Sequence, residues 1–152
     1  MTMTVRLSSR KDITLENLRR VAWAGETVEL DDSAMARMAA ARQRFMQLLD
    51  DPAVSIYGVT SGYGQNAKKR LSPEERKVHA KRLPIQQGVA WGDLLPDRIA
   101  RAIIFARLAN LIEGAAAITP DVALAVAAML DGRVLPKIPA RGQGGAGEIL
   151  SL

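Results

Sequence analysis

The sequence contains no cysteine, only one histidine and few aromatic residues, which make up 4% of its 152 positions. Without thiols the chain can form no disulfide, no thiolate metal site and no cysteine nucleophile. One histidine without cysteines is too few ligands for a zinc site of the usual composition, so we predict no metal and a solvent-facing His79. The scarcity of aromatic residues, together with abundant alanine, favours helices over β structure.

Long apolar runs are also missing. No stretch reaches the roughly eighteen apolar residues that a membrane-spanning helix needs. Residues 1–12 lack the apolar centre of a signal peptide. We therefore expect no membrane partner. Because the absence of cysteine fits a reducing compartment, we predict a cytoplasmic protein.

The positive charge is concentrated in one part of the chain. The formal net charge is +5, and much of it comes from residues 68–82. Such a run is typical either of a nucleic-acid-binding surface or of a solvated helix face. Because Glu74 and Glu75 interrupt the run and no aromatic stacking residues accompany it, we favour the solvated face. We predict no nucleic-acid partner.

The local patterns predict a mainly α fold with one or two short strands. Thr14 is placed to cap a first helix, Asp31 or Asp32 a second, and the run from Ser72 to Glu75 forms a capping box before a third. Helices are predicted over residues 15–24, 32–49, 98–113 and 120–131 and after Ser72, a strand over 27–30, and an extended piece over 54–57.

Two of the predicted helices are rich in apolar residues. In the helix over residues 98–113, which Gly114 is placed to end, one stripe is shared by Ile99, Ile103, Ala106 and Asn110. The helix over residues 120–131 is apolar nearly all round, so we expect it at the centre of a core or of an assembly. After Gly132 we predict no further element, and the chain stops as a new helix begins. We therefore interpret it as the N-terminal part of a larger structure.

Two glycine-rich segments are the strongest indications of function. The first, residues 57–64, reads Tyr-Gly-Val-Thr-Ser-Gly-Tyr-Gly. The second has a proline-rich approach from Leu135, continues through a glycine-rich loop from Gly142, and then reaches Glu148 and apolar residues. Glycine lets the backbone approach another backbone or a ligand closely. A helix that begins after such a loop favours anions at its N-terminus.

These segments resemble the signatures of the aromatic amino acid lyases, the family of histidine and phenylalanine ammonia-lyases. Residues 57–64 resemble its Tyr-Gly-Val-Asn-Thr-Gly-Phe-Gly motif, residues 107–114 its Arg-Ala-Asn-x-Leu-x-x-Gly segment, and the last loop its Gly-Ser-Val-Gly-Ala-Ser-Gly-Asp-Leu segment. The matches span residues 13–152, which leaves residues 1–12 as an N-terminal tail. The resemblance implies the helical N-terminal domain of the ammonia-lyase/fumarase-like superfamily, completed by a partner chain or by a missing C-terminal half.

The resemblance also implies a cofactor loop, which is altered in this sequence. The family makes its methylidene-imidazolone electrophile from an Ala-Ser-Gly triplet: the glycine nitrogen attacks the alanine carbonyl, and the serine loses water. In the matching stretch, Gly145-Ala146-Gly147-Glu148, either Gly147 replaces the serine, or the serine is deleted and Glu148 takes the place of the family's aspartate. Neither alignment keeps a β-hydroxyl, so we expect no such cofactor. Gly145, Ala146 and Gly147 remain candidate catalytic-site residues by position.

Further candidate site residues follow from the same resemblance. Tyr57 matches the family's catalytic tyrosine, thought to act as a base, a role for which a side chain with a pKa of about 10 needs a strongly perturbing site. Its alternative is an amphipathic residue at the end of a strand, but its place at the start of a glycine-rich loop favours a site residue. A substrate-binding histidine of the family falls on Gln87, which cannot titrate near neutral pH.

The candidate substrate-binding residues are Gly64, Gln87, Asn110 and Glu148. Judged by residue type alone, Gly64 is better explained by turn geometry than by contact with a ligand. Gln87 and Asn110 fit core amides equally well. Glu148 also fits a favourable charge at a helix N-terminus.

Two functions stay open. The first is a component of an ammonia-lyase-like enzyme that lacks the electrophile and either carries out a different elimination, hydration or isomerisation of a small molecule or needs a partner subunit. The second is a non-catalytic structural or regulatory subunit that assembles with a larger lyase-like partner chain. Because active sites of the family combine residues from several subunits of a homotetramer, we expect a homo- or hetero-oligomer in either case.

Overall fold

The computed structural model describes residues 3–81, 90–132 and 134–142. The chain forms two compact units, the first of Met1–Arg44 with Gly92–Ala140 and the second of Phe45–Trp91 with Arg141–Leu152. The mainly α fold is confirmed, although the described residues contain four short strands rather than one or two. In chain order the elements are β1 (Thr4–Leu7), α1 (Leu15–Ala22), β2 (Thr27–Leu30), α2 (Asp32–Asp50), α3 (Pro73–Ala80), β3 (Trp91–Leu94), α4 (Asp97–Ile112), α5 (Pro120–Asp131) and β4 (Pro139–Arg141).

The first unit contains a parallel pair of strands at the start of the chain. β1 and β2 pair from Thr4 opposite Thr27 to Leu7 opposite Leu30, and α1 forms the crossover that a parallel pair requires. Val5 and Leu7 are buried, in the alternating pattern of a half-buried strand. The prediction that residues 1–12 form a tail is therefore wrong. A four-residue run is too short to stand out as a strand when its partner is distant in sequence.

The core of the first unit lies between this sheet and helices α1, α4 and α5. The residues that α4 buries are Ala100, Ile104, Phe105, Leu108, Leu111 and Ile112. The stripe predicted from the sequence is a different one, and its Ile103, Ala106 and Asn110 are exposed. Apolar residues such as Ile103 and Ala106 also lie on the exposed side, so the period of the pattern alone did not identify the buried face.

Helix α5 also buries one face. Ala123, Ala127 and Leu130 pack into the core of the first unit, whereas Val122 and Leu124 are 47% and 43% exposed. The helix was predicted to lie at the centre of a core or of an assembly. Within the described residues, only one of its faces is buried.

An arginine side chain binds backbone carbonyl groups inside the first unit. Arg101 of α4 donates to three carbonyl oxygens, those of Val21, Leu130 and Glu26, at 2.8, 2.6 and 3.2 Å. Carbonyl groups near helix ends have no intrahelical donor, and a charged donor satisfies them with stronger bonds than a neutral one. Arg101 thereby connects α4 to the ends of α1 and α5.

The predicted caps of α1 and α2 and the predicted stop of α4 are confirmed, whereas α1 ends at Ala22 rather than at residue 24. The Thr14 hydroxyl caps α1 by accepting from the N–H of Asn17 at 3.1 Å. A carboxylate oxygen of Asp31 accepts from the N–H of Ser33 at 2.8 Å, which settles the choice of cap for α2. Gly114 follows α4 with a φ of +77°, a conformation that favours glycine after a helix.

A second, separate sheet pairs β3 with β4. The N–H of Leu95 donates to the carbonyl oxygen of Ile138 at 2.8 Å beside it. The prediction that no element follows Gly132 is therefore wrong. β4 is only three residues long and begins with Pro139, a residue that sequence patterns exclude from most strands.

Candidate functional site

The tyrosine loop, defined as residues 57–64, is a closed turn in the second unit. Residues 54–56 before it form no strand. The carbonyl oxygen of Ile56 accepts from the N–H groups of Val59, Thr60 and Ser61 at 3.1, 2.9 and 3.3 Å. The N–H of Ile56 donates to the Thr60 hydroxyl oxygen at 2.7 Å. Because Thr60 is only 1% exposed, its hydroxyl group is shielded from water, and these bonds together fix the turn beside Tyr57.

The second half of the loop is bound to the chain segment that follows it. The N–H of Gly62 donates to the carbonyl oxygen of Lys69 at 3.0 Å, and the N–H of Leu71 donates to that of Thr60 at 2.9 Å. A side chain at Gly62 would lie 2.6 Å from the carbonyl oxygen of Asn66. Glycine is therefore required at this position by close backbone approach.

The tyrosine loop folds the Tyr57 side chain back onto its own last residue. The phenolic oxygen accepts from the N–H of Gly64 at 2.9 Å, although Tyr57 is 66% exposed. Gly58 and Gly64 have φ values of +70° and +59°, where most other residues are strained. Because the phenolic oxygen accepts this bond, its own hydrogen remains available to another group. The structure therefore brings together two predicted site residues, Tyr57 and Gly64.

His79 of α3 contacts the same loop, a role that sequence reasoning missed. Its Nε2 lies 3.0 Å from the carbonyl oxygen of Gly58, and its ring centroid lies 5.5 Å from that of Tyr63. The side chain is half-buried, so the prediction of a solvent-facing residue is wrong. Because lysines and arginines surround His79 in the sequence, the pattern indicates a helix that is solvated throughout and does not reveal this contact. The capping box at Ser72, which fixes where α3 begins, was the one usable signal in the sequence.

A cavity of about 490 Å³ lies beside the tyrosine loop and α3. The Lys69 Nζ lies 2.9 Å from a carboxylate oxygen of Glu75 within it. The pKa of Glu75 is lowered by the backbone N–H of Ser72 first and by Lys69 second, so this carboxylate is ionised at neutral pH. Tyr57 is not among the described residues that line the cavity, which are Gly62, Tyr63, Asn66, Lys69, Leu71, Glu74, Glu75, Val78 and His79.

The other predicted site residues do not belong to the described part of the second unit. Asn110 is exposed on α4 in the first unit, so the core-amide interpretation of this residue is wrong for the described chain. The remaining candidates lie outside the described residues, and their roles stay predictions: Gln87, Gly145, Ala146, Gly147 and Glu148.

Metal sites and membrane spans are not found in the described part of the chain. Across residues 3–81, 90–132 and 134–142, no three acidic or histidine side chains come together in a way that could hold a metal ion. No helix in those ranges is both long and apolar enough to cross a bilayer. His79 contacts a carbonyl oxygen and an aromatic ring instead.

Known proteins resemble this chain along nearly its whole length. The family model described as aromatic amino acid lyase matches residues 13–152. The chain is 31% identical to a histidine ammonia-lyase of Paracidovorax citrulli, over 88% of this chain and 26% of that protein. It is also 31% identical to a histidine ammonia-lyase of Streptococcus sanguinis, over 96% of this chain and 28% of that protein.

A solved structure is similar in fold. Tyrosine aminomutase from Streptomyces globisporus matches with a TM-score of 0.80 and 28% identity, over 94% of this chain and 26% of that one. The chain thus spans about a quarter of the length of the relatives that it matches.

Proposed function

Because the chain belongs to the aromatic amino acid lyase family, we propose that it contributes the tyrosine loop to a lyase-type active site that works without the methylidene-imidazolone ring. The observation that carries this proposal is the hydrogen bond from the Gly64 N–H to the Tyr57 oxygen, which orders the phenol within the family's tyrosine motif. Tyr57 is exposed, so burial does not account for the order of its side chain.

The proposed loss of the ring follows from the chemistry of the last loop. Ring formation with elimination of water requires a hydroxyl on the β-carbon of the residue between alanine and glycine. Ala146 is followed by Gly147 and Glu148, so neither alignment supplies that hydroxyl. The residues present do not fit the group, and no step of the proposed reaction uses it.

Without that electrophile, the proposed reaction depends on proton transfer by Tyr57. In an elimination, a base takes a proton from carbon, the C–H electron pair forms the double bond, and the leaving group departs with its own bonding pair. Hydration is the reverse with water, and isomerisation returns the proton to a different carbon. Loss of an amino group in the family manner is not expected. A positioned acid or base contributes about 10²–10⁴-fold to such a step.

The proposed substrate is a small carboxylic acid with an aromatic or heteroaromatic ring. The relatives named above are called histidine ammonia-lyases and a tyrosine aminomutase, which supports this class. The proposed contacts with the substrate are Gly64, Gln87, Asn110 and Glu148.

The exposed apolar faces of α4 and α5 support an assembly. Ile103 is 38% exposed, and Val122 and Leu124 are 47% and 43% exposed. Large apolar side chains that are exposed on helices can mark an interface. Since the chain spans about a quarter of its relatives, we propose that lyase-type helices cover these faces. A partner chain or a continuation of this chain would supply them, in a homo- or hetero-oligomer.

The test is proton exchange by the complete assembly in deuterium oxide. The assembly is incubated with aromatic and heteroaromatic amino acids, hydroxy acids and acrylic acids. Incorporation of deuterium at the α- and β-carbons of each compound is followed by NMR. We expect Tyr57→Phe to slow exchange about 100-fold or more, the contribution of a positioned acid or base. The matched control, Ser55→Ala at an exposed position, should exchange at the unsubstituted rate. Exchange that survives intact in Tyr57→Phe would remove Tyr57 from the mechanism.

A non-catalytic subunit is the alternative function. The missing serine and the glutamine at position 87 favour it, because both remove chemistry that the family uses. In that case no member of the substrate panel exchanges, and Tyr57→Phe supports a partner's activity as well as the unsubstituted chain does. Val122→Glu, on the exposed face of α5, should then abolish copurification of the partner and its activity together.

A further inference from the structure

We propose that His79 is the positioning residue for Tyr57. Its imidazole contacts the tyrosine loop near both ends, at Gly58 and at Tyr63. This inference rests on the proposed role of Tyr57 only for its catalytic consequence, because the positioning itself is a property of the loop.

The first contact is made at Gly58, the residue directly after Tyr57. The Nε2 atom of His79 lies 3.0 Å from the carbonyl oxygen of Gly58, within hydrogen-bond distance. A carbonyl oxygen only accepts, so His79 must carry its proton on Nε2, as one neutral tautomer and the imidazolium both do. Because Gly58 has no side chain, its peptide groups have many alternative orientations, and this bond selects one of them.

The second contact is made at Tyr63, the residue directly before Gly64. The Tyr63 ring packs on the His79 ring at 5.5 Å between centroids, with an angle of 48° between the planes. This distance is typical of a favourable aromatic contact. Tyr63 is followed by Gly64, whose N–H donates to the Tyr57 oxygen at 2.9 Å. His79 thus fixes the residue after Tyr57 and the residue before the donor to Tyr57.

Helix α3 is anchored by hydrogen bonds, so the position of His79 is fixed relative to the loop. The Ser72 hydroxyl accepts from the N–H of Glu75 at 3.1 Å, and the Glu75 carboxylate accepts from the N–H of Ser72 at 2.9 Å. Arg76 donates to the carbonyl oxygens of Leu71 and Leu49 at 3.3 and 3.2 Å. These bonds anchor the helix at its first turns, and His79 extends from its last turn toward the loop.

The test measures the Tyr57–Gly64 hydrogen bond without any substrate. Amide hydrogen exchange of Gly64 is followed by NMR in the complete chain and in variants at position 79. His79→Phe keeps a ring against Tyr63 and removes the donor, whereas His79→Gln keeps a side-chain N–H donor. We expect Gly64 to exchange about fivefold faster in His79→Phe, as for the loss of one neutral hydrogen bond, and to recover in His79→Gln. Tyr57→Phe, which removes the acceptor, sets the upper limit.

Controls separate positioning from general damage to the fold. Lys77→Ala, at an exposed position of the same helix, should leave Gly64 exchange unchanged. Amides of α4 should keep their exchange rates in every variant. An unchanged Gly64 rate in His79→Phe, with Tyr57→Phe clearly faster, would overturn the positioning role. Faster Gly64 exchange in His79→Phe, combined with intact turnover in Tyr57→Phe, would support the positioning and refute the proposed function.

Discussion

The two units of the chain are stabilised in different ways. In the first unit, buried apolar side chains of α1, α4, α5 and the parallel strands form one cluster. Among the described residues of the second unit, Leu71 is the buried apolar residue, and Thr60 and Ser61 are buried beside it. There the tyrosine loop is held by backbone hydrogen bonds, glycine geometry and His79.

This difference separates a scaffold from a candidate site. A region with few buried apolar contacts and many hydrogen bonds near solvent opens more easily than a packed core. Loops that carry function are commonly drawn from such regions, while a rigid scaffold supports them. We therefore expect substitutions in the first unit to change global stability and substitutions in the second to act locally.

The largest effect should come from the core of the first unit. Phe105 is fully buried, so Phe105→Ala removes its packing and leaves a cavity. We expect a loss of about 3–5 kcal/mol in the free energy of unfolding, measured with denaturant. Ile103→Ala, on the exposed face of the same helix, is the control and should cost about 1 kcal/mol or less. Equal losses in the two variants would contradict the placement of the core.

The next effect concerns the carbonyl groups bound by Arg101. Arg101→Met keeps the length of the side chain but leaves three carbonyl oxygens without this donor. We expect a loss of about 2–3 kcal/mol, since breaking bonds to a charged donor leaves part-buried acceptors unsatisfied. Arg98→Met, at an exposed position of α4, should stay within about 0.5 kcal/mol of the unsubstituted chain. If both variants unfold alike, Arg101 does not stabilise the unit in this way.

In the second unit we expect a local effect from Gly62→Ala. The added methyl group would meet the carbonyl oxygen of Asn66 at 2.6 Å, so the loop must shift at a cost of about 1–3 kcal/mol. Amides of residues 60–64 should exchange faster, while the global unfolding midpoint is preserved. Gly142→Ala is the control, because a methyl group there meets open space. A large fall in the midpoint for Gly62→Ala would abolish the distinction between the two units.

The smallest effect should be a difference in acid sensitivity between two carboxylates that accept backbone N–H groups, those of Asp12 and Glu75. The pKa of Asp12 is lowered by the backbone N–H of Ser9 first and then by the hydroxyl and N–H of Ser8. A lowered pKa means stability that is present above the ordinary carboxyl value of 3.8 and lost as pH falls through the lowered value. Asp12→Asn should therefore be less stable than the unsubstituted chain at neutral pH, and thermal midpoints should converge in strong acid.

The matching substitution in the second unit is Glu75→Gln. The pKa of Glu75 is also lowered, so the sign is the same, with stability lost toward acid pH. Because Lys69 contributes to this shift at the surface, salt should weaken the effect of Glu75→Gln more than that of Asp12→Asn. Amide exchange of α3 at low and high salt measures the local effect of Glu75→Gln, and the thermal midpoint at the same two salt concentrations measures that of Asp12→Asn. An identical salt response would show that the surface ion pair makes no contribution.

Local chemistry made much of the fold predictable from the sequence. Thr14, Asp31 and Ser72 mark helix starts because their side chains can accept from N–H groups that lack a helical partner. Gly114 marks a helix end because it tolerates a positive φ. The tyrosine loop was likewise recognisable, because its glycines and its tyrosine form a contiguous motif.

The features that were not predictable depend on tertiary contacts. β1 pairs with a strand on the far side of α1, and no local pattern specifies that pairing. The buried face of α4 could not be chosen from its period, because Ile103 and Ala106 place apolar residues on the exposed side as well. His79 reaches Gly58 across 21 positions, which no motif in the sequence indicates.

The most direct test of the central claim is the mass of the cofactor loop. Trypsin cleavage after Arg141 releases a peptide that begins at Gly142 and contains Ala146 and Gly147. In the purified assembly, this peptide should have the mass of its unmodified sequence, because no serine hydroxyl lies between Ala146 and Glu148. A relative with the complete Ala-Ser-Gly triplet serves as the positive control. A peptide lighter by two water molecules, with fragmentation placing the loss at residues 146–148, would contradict the claim that this family member lacks the ring.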